Sequence, residues 1–483
     1  MNYSDTALRQ RYIDFIREGM YEVTYGAVKA WLAVAPDTRF GLEYEHMHNY
    51  HGANDEHLLG ALHDASGREV ETRSGGGYYY DKSPWEQYSK ALCLSAANSL
   101  LPPYVTACVA EIENLPGVVL GKSIGGILNE GTLDLAICCT GLTFTDVQSC
   151  HEPMEYYEKI FAGFSKIRPY WTKLSVIAKQ HARGGVAIYW GEAPQLAPSN
   201  REDPLIAWDS VLLDKDIRLT RVGVPLTYDQ RKHAAYLVHH STVDALTDRD
   251  IEFLLTHPVI TDGESVAKLF ARGFADRFAF VPRPIDNRTE EHFTASPINR
   301  SKAGMFYNEN PYAAAPMQRF VFDGIDERTA VLGEAFRDSL LDDGSCMGAC
   351  TVVTEIQSSN AKWTIFGYSL WSNIISSAKQ NQIVGALDAI GPMPVRLLSE
   401  EQVVAIPSVD ECGRTLSVTL ESASQGGTEP FEVLVRKPRG KQILAMSVRR
   451  PEIGFIVVEE EQDDVTVRIQ ALEPYEIVTL FFE

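Results

Sequence analysis

Residues 104–116 read YVTACVAEIENLP, an apolar, β-branched run that is followed by two glutamates. Valine and threonine favour extended backbone, so the run predicts a strand over 104–110 that delivers Glu111 and Glu113 at its carboxyl end. In barrels of parallel strands, the carboxyl ends of the strands surround the active site. This stretch therefore predicts both a strand of a parallel sheet and a place for chemistry.

Helical and strand-like patterns alternate on both sides of this stretch. Apolar residues recur at helical spacing between Leu8 and Ala35, and Pro36 ends that helix. Further strands are predicted at 39–45 and 70–73, with helices at 55–63, 85–100 and 153–181 and a helix–strand unit at 124–139. Such alternation favours a parallel α/β sheet. A closed (β/α)8 barrel needs about 250 residues, so residues 1–184 have room for only half of a TIM barrel.

Residues 185–282 form a second block of α/β pattern. Its predicted helices lie at 248–256 and 263–272, and its predicted strands at 186–190, 219–224, 234–238, 258–260 and 278–281. Thr247 precedes two aspartates and is expected to cap the first of these helices. We expect a flavodoxin-like α/β domain here.

The rest of the chain, 283–483, reads as a linker followed by a C-terminal β-sandwich. Residues 283–310 are rich in Pro, Asn, Arg and Ser and show little periodicity. From Cys350 onward, short strand-like runs alternate with turn sequences such as SASQGGTEP, as in β-sandwiches.

Composition excludes several classes of protein. The chain has 483 residues, enough for about three domains, and its net charge of −21 would repel a nucleic-acid backbone. No apolar run reaches the ~20 residues of a membrane span, and residues 1–5 lack the pattern of a secretory signal, so a cytoplasmic location is expected. No CxxC pair suggests zinc, and neither a metal nor another cofactor is expected.

Glu113 is the leading candidate for a catalytic residue. A carboxylate at a strand end can attack an anomeric carbon and form a glycosyl-enzyme intermediate, if an acid stands about 5–5.5 Å away. The alternative is that Glu111 and Glu113 are an ordinary solvated pair at a strand end.

Other candidate binding residues lie after the neighbouring strands. Arg73 and Tyr78 flank a Gly-rich run that can bring main chain close to a sugar, or simply form a turn. Trp85 is a candidate to stack on a sugar ring, with a core aromatic as the alternative. Glu45 and His46, near Glu43 and His48, suggest a polar rim of the sugar site. A metal site is the alternative there, but no third ligand is evident.

Several of these motifs resemble glycoside hydrolase family 42 β-galactosidases. Glu113-Asn114-Leu115-Pro116 is similar to the Glu-Gln-small-Pro signature that carries the nucleophile on the seventh barrel strand of that family, with Asn and Leu in place of Gln and the small residue. Residues 218–229 and the segment from AAYLVHHS to ARGFAD resemble the family's glutamine-amidotransferase-like trimerisation domain. The C-terminal LEPYEIVTL resembles the last strand of its small β-domain.

The resemblance implies a retaining glycoside hydrolase of the β-galactosidase kind. It would act on terminal β-galactosides or related β-glycosides, with Glu113 as nucleophile and the C-terminal half of the barrel in residues 1–184. The family's acid/base lies on the fourth strand, which would precede Met1, so a separate chain is expected to supply the missing half. No Cys occurs between Cys150 and Cys346, so the middle domain is expected to form a homotrimer rather than hydrolyse glutamine. The alternative is a non-catalytic carbohydrate-binding or assembly subunit on the same scaffold.

Overall fold

Helices and parallel strands alternate through the first 180 residues of the fold. The fold is given by a computed structural model, which describes residues 6–45, 55–75, 78, 80–81, 84–99, 101–113, 121–145, 153–191, 219–220, 222–229, 233–285, 289–308, 318–337, 344–368, 376–450 and 453–483. No helix in these ranges is both long enough and apolar enough to cross a membrane.

The first sheet is parallel and has the order β1-β2-β3-β4. Its strands are β1 (Gly41–Glu45), β2 (Val70–Gly75), β3 (Val105–Glu113) and β4 (Gly141–Thr145). The helices are α1 (Thr6–Leu32), α2 (Asp55–Ser66), α3 (Pro84–Ser99), α4 (Ile124–Ile137) and α5 (Glu158–Gln180). Within the described residues, the sheet is not closed into a barrel, because β1 and β4 have one neighbour each.

The two faces of this sheet differ in character. Leu42, Val70, Ala110 and Ile112 point to one face and pack against the helices. The strand register places Glu43, Arg73, Glu111 and Glu113 together on the opposite face, since side chains alternate along a strand. The sheet is thus anchored on its apolar face and carries its charged groups on the other.

A second parallel sheet follows, with the order β7-β6-β8-β9-β16. Numbered along the chain, this is the 2-1-3-4-5 order of flavodoxin-like sheets. The strands are β5 (Ala182–Arg183, in another sheet), β6 (Val186–Tyr189), β7 (Leu226–Thr227), β8 (Ala235–Val238) and β9 (Val259–Asp262). The helices are α6 (His240–Val243), α7 (Asp248–Leu254) and α8 (Gly263–Ala271).

Two local predictions in this region have different outcomes. The Thr247 cap is confirmed, because its hydroxyl accepts from the Asp250 amide (3.1 Å) while the Asp250 carboxylate accepts from the Thr247 amide (2.8 Å). The strand predicted at 219–224 is wrong, because Leu219 and Thr220 are helical and the strand in this stretch is β7.

Residues 281–366 extend the second sheet, in contrast to the predicted linker and the predicted start of the sandwich. They form β10 (Val281–Ile285), β11 (Thr289–Phe293), β12 (Phe306–Asn308), β13 (Arg319–Asp323), β14 (Thr329–Arg337), β15 (Cys346–Glu355) and β16 (Lys362–Phe366), and α9 (Ser377–Ile390) follows. β16 pairs in parallel with β9, and Trp363 and Ile365 join the core of Val259. Where one folding unit ends and the next begins stays a prediction.

The remaining strands form two packed antiparallel sheets with the orders β17-β20-β23-β22 and β21-β24-β19-β18-β5. They are β17 (Val395–Leu397), β18 (Val403–Val409), β19 (Thr415–Ser422), β20 (Phe431–Arg436), β21 (Ile443–Ser447), β22 (Phe455–Glu460), β23 (Asp464–Ile469) and β24 (Ile477–Phe482). This sandwich supports the helices behind the first sheet, because Phe481 packs with Trp171 and Leu174 of α5.

Candidate functional site

Charged side chains from neighbouring strands meet at the carboxyl end of the first sheet. Arg73 of β2 pairs with Glu43 of β1 and places Nη1 2.9 Å from Oε1 of Glu111 on β3. The Thr145 hydroxyl of β4 donates to the same Glu111 oxygen at 3.2 Å. Glu111 is 7% exposed and is therefore anchored from both neighbouring strands.

Glu113 lies at the rim of this group. It is the last residue of β3, pairs in register with Thr145 and is less buried than Glu111. Strand alternation places its side chain on the face that carries Glu111. Its main-chain carbonyl accepts a hydrogen bond from Lys122 Nζ at 2.7 Å. The strand end thus presents one anchored carboxylate and one more accessible carboxylate.

Tyr78 lies next to this strand end but is almost completely buried. Its hydroxyl donates to Asp81 Oδ1 (3.1 Å), and Asp81 Oδ2 accepts from the Ser123 amide (2.7 Å) at the start of α4. Burial, together with the negative charge of Asp81, raises the pKa of Tyr78 above its ordinary value. In this position Tyr78 fixes the segment after β2 against α4, and a Cβ at Gly126 would overlap Asp81.

A buried charge cluster, which the sequence did not predict, lies directly beneath the strand end. It consists of Lys90 on α3, Lys122 just before α4, and Glu130 and Asp134 on α4. Burial raises the pKa of Asp134 to about 6, although Lys90 Nζ, 3.1 Å away, acts in the opposite direction. The sequence feature that could have predicted the cluster is the spacing of Glu130 and Asp134. They lie four residues apart in a largely apolar helix, and this spacing places both on the same buried face.

The remaining predicted site residues are only partly described. Glu45 ends β1 opposite Gly75, but its side chain lies outside the described residues, as does all of His46. Trp85 lies in the first turn of α3, and its side chain is likewise outside them. The structure thus brings Arg73, Tyr78 and Glu113 to one strand end and does not test the roles of Glu45, His46 and Trp85.

The carboxyl end of the second sheet holds a buried histidine–aspartate pair. His240 Nδ1 lies 2.8 Å from Asp262 Oδ2, while Asp262 Oδ1 accepts from the amide and hydroxyl of Ser265. Burial opposes ionisation of Asp262, but these hydrogen bonds outweigh it and lower its pKa to about 2. Asp262 caps α8, so the pair has a structural role. Among the described residues, no three His, Cys, Asp or Glu side chains are grouped as metal ligands.

No family model and no curated protein sequence matches the chain. Among solved structures, it is similar to α-L-fucosidase isoenzyme 2 from Paenibacillus thiaminolyticus, with a TM-score of 0.57 and 12% identity over 88% of this chain and 70% of that one.

Two further structures are similar at lower scores. A β-galactosidase from the psychrophilic Marinomonas ef1 has a TM-score of 0.41 at 8% identity, and 89% of this chain covers 66% of it. A rhamnosidase from Novosphingobium sp. PP1Y has a TM-score of 0.41 at 10% identity, and 88% of this chain covers 38% of it. The chain thus shares the fold of a glycoside hydrolase, the fucosidase, at low identity.

Proposed function

We propose that the carboxyl end of the first sheet is the active site of a retaining glycoside hydrolase, with Glu113 as its nucleophile. The substrate class is a terminal β-galactoside or a related β-glycoside. The observation that carries the proposal is the pairing of an anchored carboxylate, Glu111, with a more accessible one, Glu113, at the end of a parallel strand. The fold likeness to a fucosidase and the resemblance to family 42 support it.

The chemistry needs one bond to form as another breaks. A carboxylate oxygen of Glu113 attacks the anomeric carbon, the glycosidic C–O bond breaks, and the leaving oxygen takes a proton from a general acid. Water then attacks the glycosyl-enzyme ester, gives its proton to the same acid/base group, and releases the sugar with Glu113 restored.

Glu111 does not suit the role of general acid. Its Oε1 accepts from both Arg73 and Thr145, whereas an acid must donate a proton to the leaving group. Arg73 instead fixes Glu111 and leaves its partly exposed guanidinium at the sugar-facing end, where it can donate to a hydroxyl. The acid/base is assigned to none of the described residues.

A substrate that needs no acid tests the nucleophile by itself. A dinitrophenyl β-galactoside has a leaving group that departs without protonation, so its hydrolysis depends on Glu113 rather than on the acid. With Glu113→Ala, turnover should stop, and added azide should restore it and yield the α-galactosyl azide, because azide attacks directly from the nucleophile's side. Formation of the β-azide, or full activity without azide, would contradict the assignment.

A second candidate function is a non-catalytic carbohydrate-binding or assembly subunit. In the part of the chain that the structure describes, β1 and β4 each have one strand neighbour, and an unpaired strand edge favours association because it recruits further strands. Lactose binding in calorimetry, with neither turnover nor covalent labelling of the protein, would favour this candidate over the hydrolase.

We also propose that the chain forms a homotrimer through residues 185–282. A separate chain would supply the further parallel strands that complete the first sheet. The turn after β8, where an amidotransferase needs its thiolate, instead carries His239 and His240, which supports a role in association. Light scattering at micromolar concentration should give three times the mass of one chain. A strictly monomeric mass would contradict the trimer.

A further inference from the structure

Two buried lysines bind the main chain of β3 at the proposed active site. Lys90 Nζ donates to the carbonyl of Glu111 at 2.6 Å, and Lys122 Nζ donates to the carbonyl of Glu113 at 2.7 Å. The carboxylate of Glu130 joins the two ammonium groups, with Oε1 2.5 Å from Lys90 and Oε2 2.6 Å from Lys122. Lys90 and Lys122 are each 2% exposed, and Glu130 is 1% exposed.

The sheet pairing explains why these carbonyls bind side chains. β2 pairs with β3 only as far as Ala110, whereas β4 continues alongside β3 to Glu113. Among the described residues, 111–113 therefore have a strand neighbour on one side only. A buried carbonyl without a partner is costly, and the two ammonium groups act as donors beyond the last paired residue of β2.

Stability alone does not account for this arrangement. Burial of two ammonium groups carries a desolvation penalty, and well-packed apolar residues often stabilise a core as well as a buried ion pair does. What charged donors add is a fixed geometry, because both strong hydrogen bonds are directed at two particular carbonyl oxygens. The ring of Tyr78 adds a further restraint, since Lys122 Nζ lies 4.9 Å from its centre.

We propose that Lys90, Lys122 and Glu130 form a buried clamp that positions the end of β3 and thereby aims the Glu113 carboxylate. The three are positioning residues, because they act through the main chain of residues 111–113. This inference rests on the proposed function for its effect on catalysis, but the restraint on the strand does not depend on it.

A third buried lysine, Lys379, provides a matched control. Lys379 on α9 is also 2% exposed and has Nζ 2.6 Å from Glu291 Oε2 and 2.6 Å from Gln382 Oε1. Its hydrogen bonds go to Glu291 on β11, to Tyr368 after β16 and to Gln382 on α9 itself, and none of these goes to β3. Lys379→Met thus removes an equally buried ion pair without affecting the clamp.

The test compares Lys90→Met, Lys122→Met and the nearly isosteric Glu130→Gln with Lys379→Met in the full chain. The first readout is amide hydrogen exchange over residues 109–113, which should be at least about tenfold faster in the clamp variants and unchanged in the control. The second is turnover of a dinitrophenyl β-galactoside. We expect kcat to fall by about 10²-fold in the clamp variants with KM changed by less than about threefold, because a small misplacement of a reacting group has that effect.

The two readouts separate the two proposals. Unchanged exchange over 109–113 in the folded Glu130→Gln variant would overturn the clamp, whatever the activity. Faster exchange with kcat equal to that of Lys379→Met would overturn its role in aiming Glu113. Wild-type protein without turnover or labelling would contradict the hydrolase function, and with it the catalytic role of the clamp, while the exchange data would still decide the restraint on β3.

Discussion

The two parallel sheets of this protein differ in where their polar residues lie. In the second sheet, β8 and β9 are buried along their whole length. At its carboxyl end, Asp262 bonds to His240 and caps α8. In the first sheet, Leu42, Val70, Ala110 and Ile112 face the helices, while Glu43, Arg73, Glu111 and Glu113 lie on the other face.

The difference between the two sheets is the reason why the active site is proposed at the first sheet. Parallel strands are normally covered on both faces, so charged residues kept on one face of such a sheet need a reason other than stability. In the second sheet, the Asp262 carboxylate has a structural role, because it caps α8 and bonds to His240. In the first sheet, the Glu111 carboxylate is held by Arg73 and Thr145, and Glu113, the proposed nucleophile, lies at the rim above a buried charge cluster.

The largest expected effect is on kcat, and it should differ between carboxylate variants of the two sheets. Glu113→Gln should lower kcat for a dinitrophenyl β-galactoside by at least about 10⁴-fold, because removal of a nucleophile typically has effects of this order. Asp262→Asn, at the equivalent end of the second sheet, should leave kcat within about twofold per folded molecule. An equal loss of kcat in the two variants would contradict the proposed functional difference between the sheets.

Arg73 should have the next largest effect. Arg73→Met removes the cation that holds Glu111 and Glu43, and we expect kcat/KM to fall by about 10²-fold because Glu111 and the rim of the site lose their alignment. The matched control is Arg283→Met, which removes a surface ion pair with Asp323 on β10 and β13. Steady-state kinetics that show no difference between the two variants would contradict a role for Arg73 in the site.

In the second sheet, stability rather than activity should respond. The pKa of Asp262 is lowered to about 2 from 3.8, so its ionised form stabilises the fold by about 2 kcal/mol above pH 4. This contribution should disappear as the pH falls through 2, because both states are then protonated. Asp262→Asn keeps a good helix cap, so urea unfolding of the variant and wild type at pH 7 and pH 3 isolates the charge. A difference that does not shrink on acidification would contradict this account.

A buried carboxyl without hydrogen bonds should show the opposite pH dependence. Both carboxylate oxygens of Glu421 in the sandwich are buried and have no hydrogen-bond partner in the described part of the chain, and burial raises the pKa of Glu421 well above the ordinary value. The wild-type free energy of unfolding should therefore fall relative to that of Glu421→Gln by up to about 1.4 kcal/mol per pH unit above pH 4.5. Parallel stability curves for the two proteins between pH 4.5 and 6.5 would contradict this.

The sequence predicted local elements well and long-range pairing poorly. The alternation of helices and strands around β3 and the Thr247 cap depend on nearby residues, so periodicity and capping rules were sufficient. Pairing of β16 with β9 joins residues about a hundred positions apart, and no local pattern encodes that choice. For this reason, residues 283–310 resembled a linker although they contain β11, β12 and most of β10.

The candidate site shows the same division. Glu111, Glu113 and Arg73 could be predicted as candidates because the sequence pattern alone locates charged residues at the ends of predicted strands. Lys90 and Lys122 could not, since a lysine is usually solvated, and only their hydrogen bonds to the main chain of β3 show why they are buried.

The central claim is that Glu113 forms the covalent intermediate. Dinitrophenyl 2-deoxy-2-fluoro-β-galactoside traps such an intermediate, because fluorine slows its hydrolysis, and mass spectrometry of a digest locates the labelled residue. We expect one fluorogalactosyl group on Glu113, together with loss of turnover at the same rate as labelling. A label on Glu111, with Glu113→Gln still active, would contradict the claim.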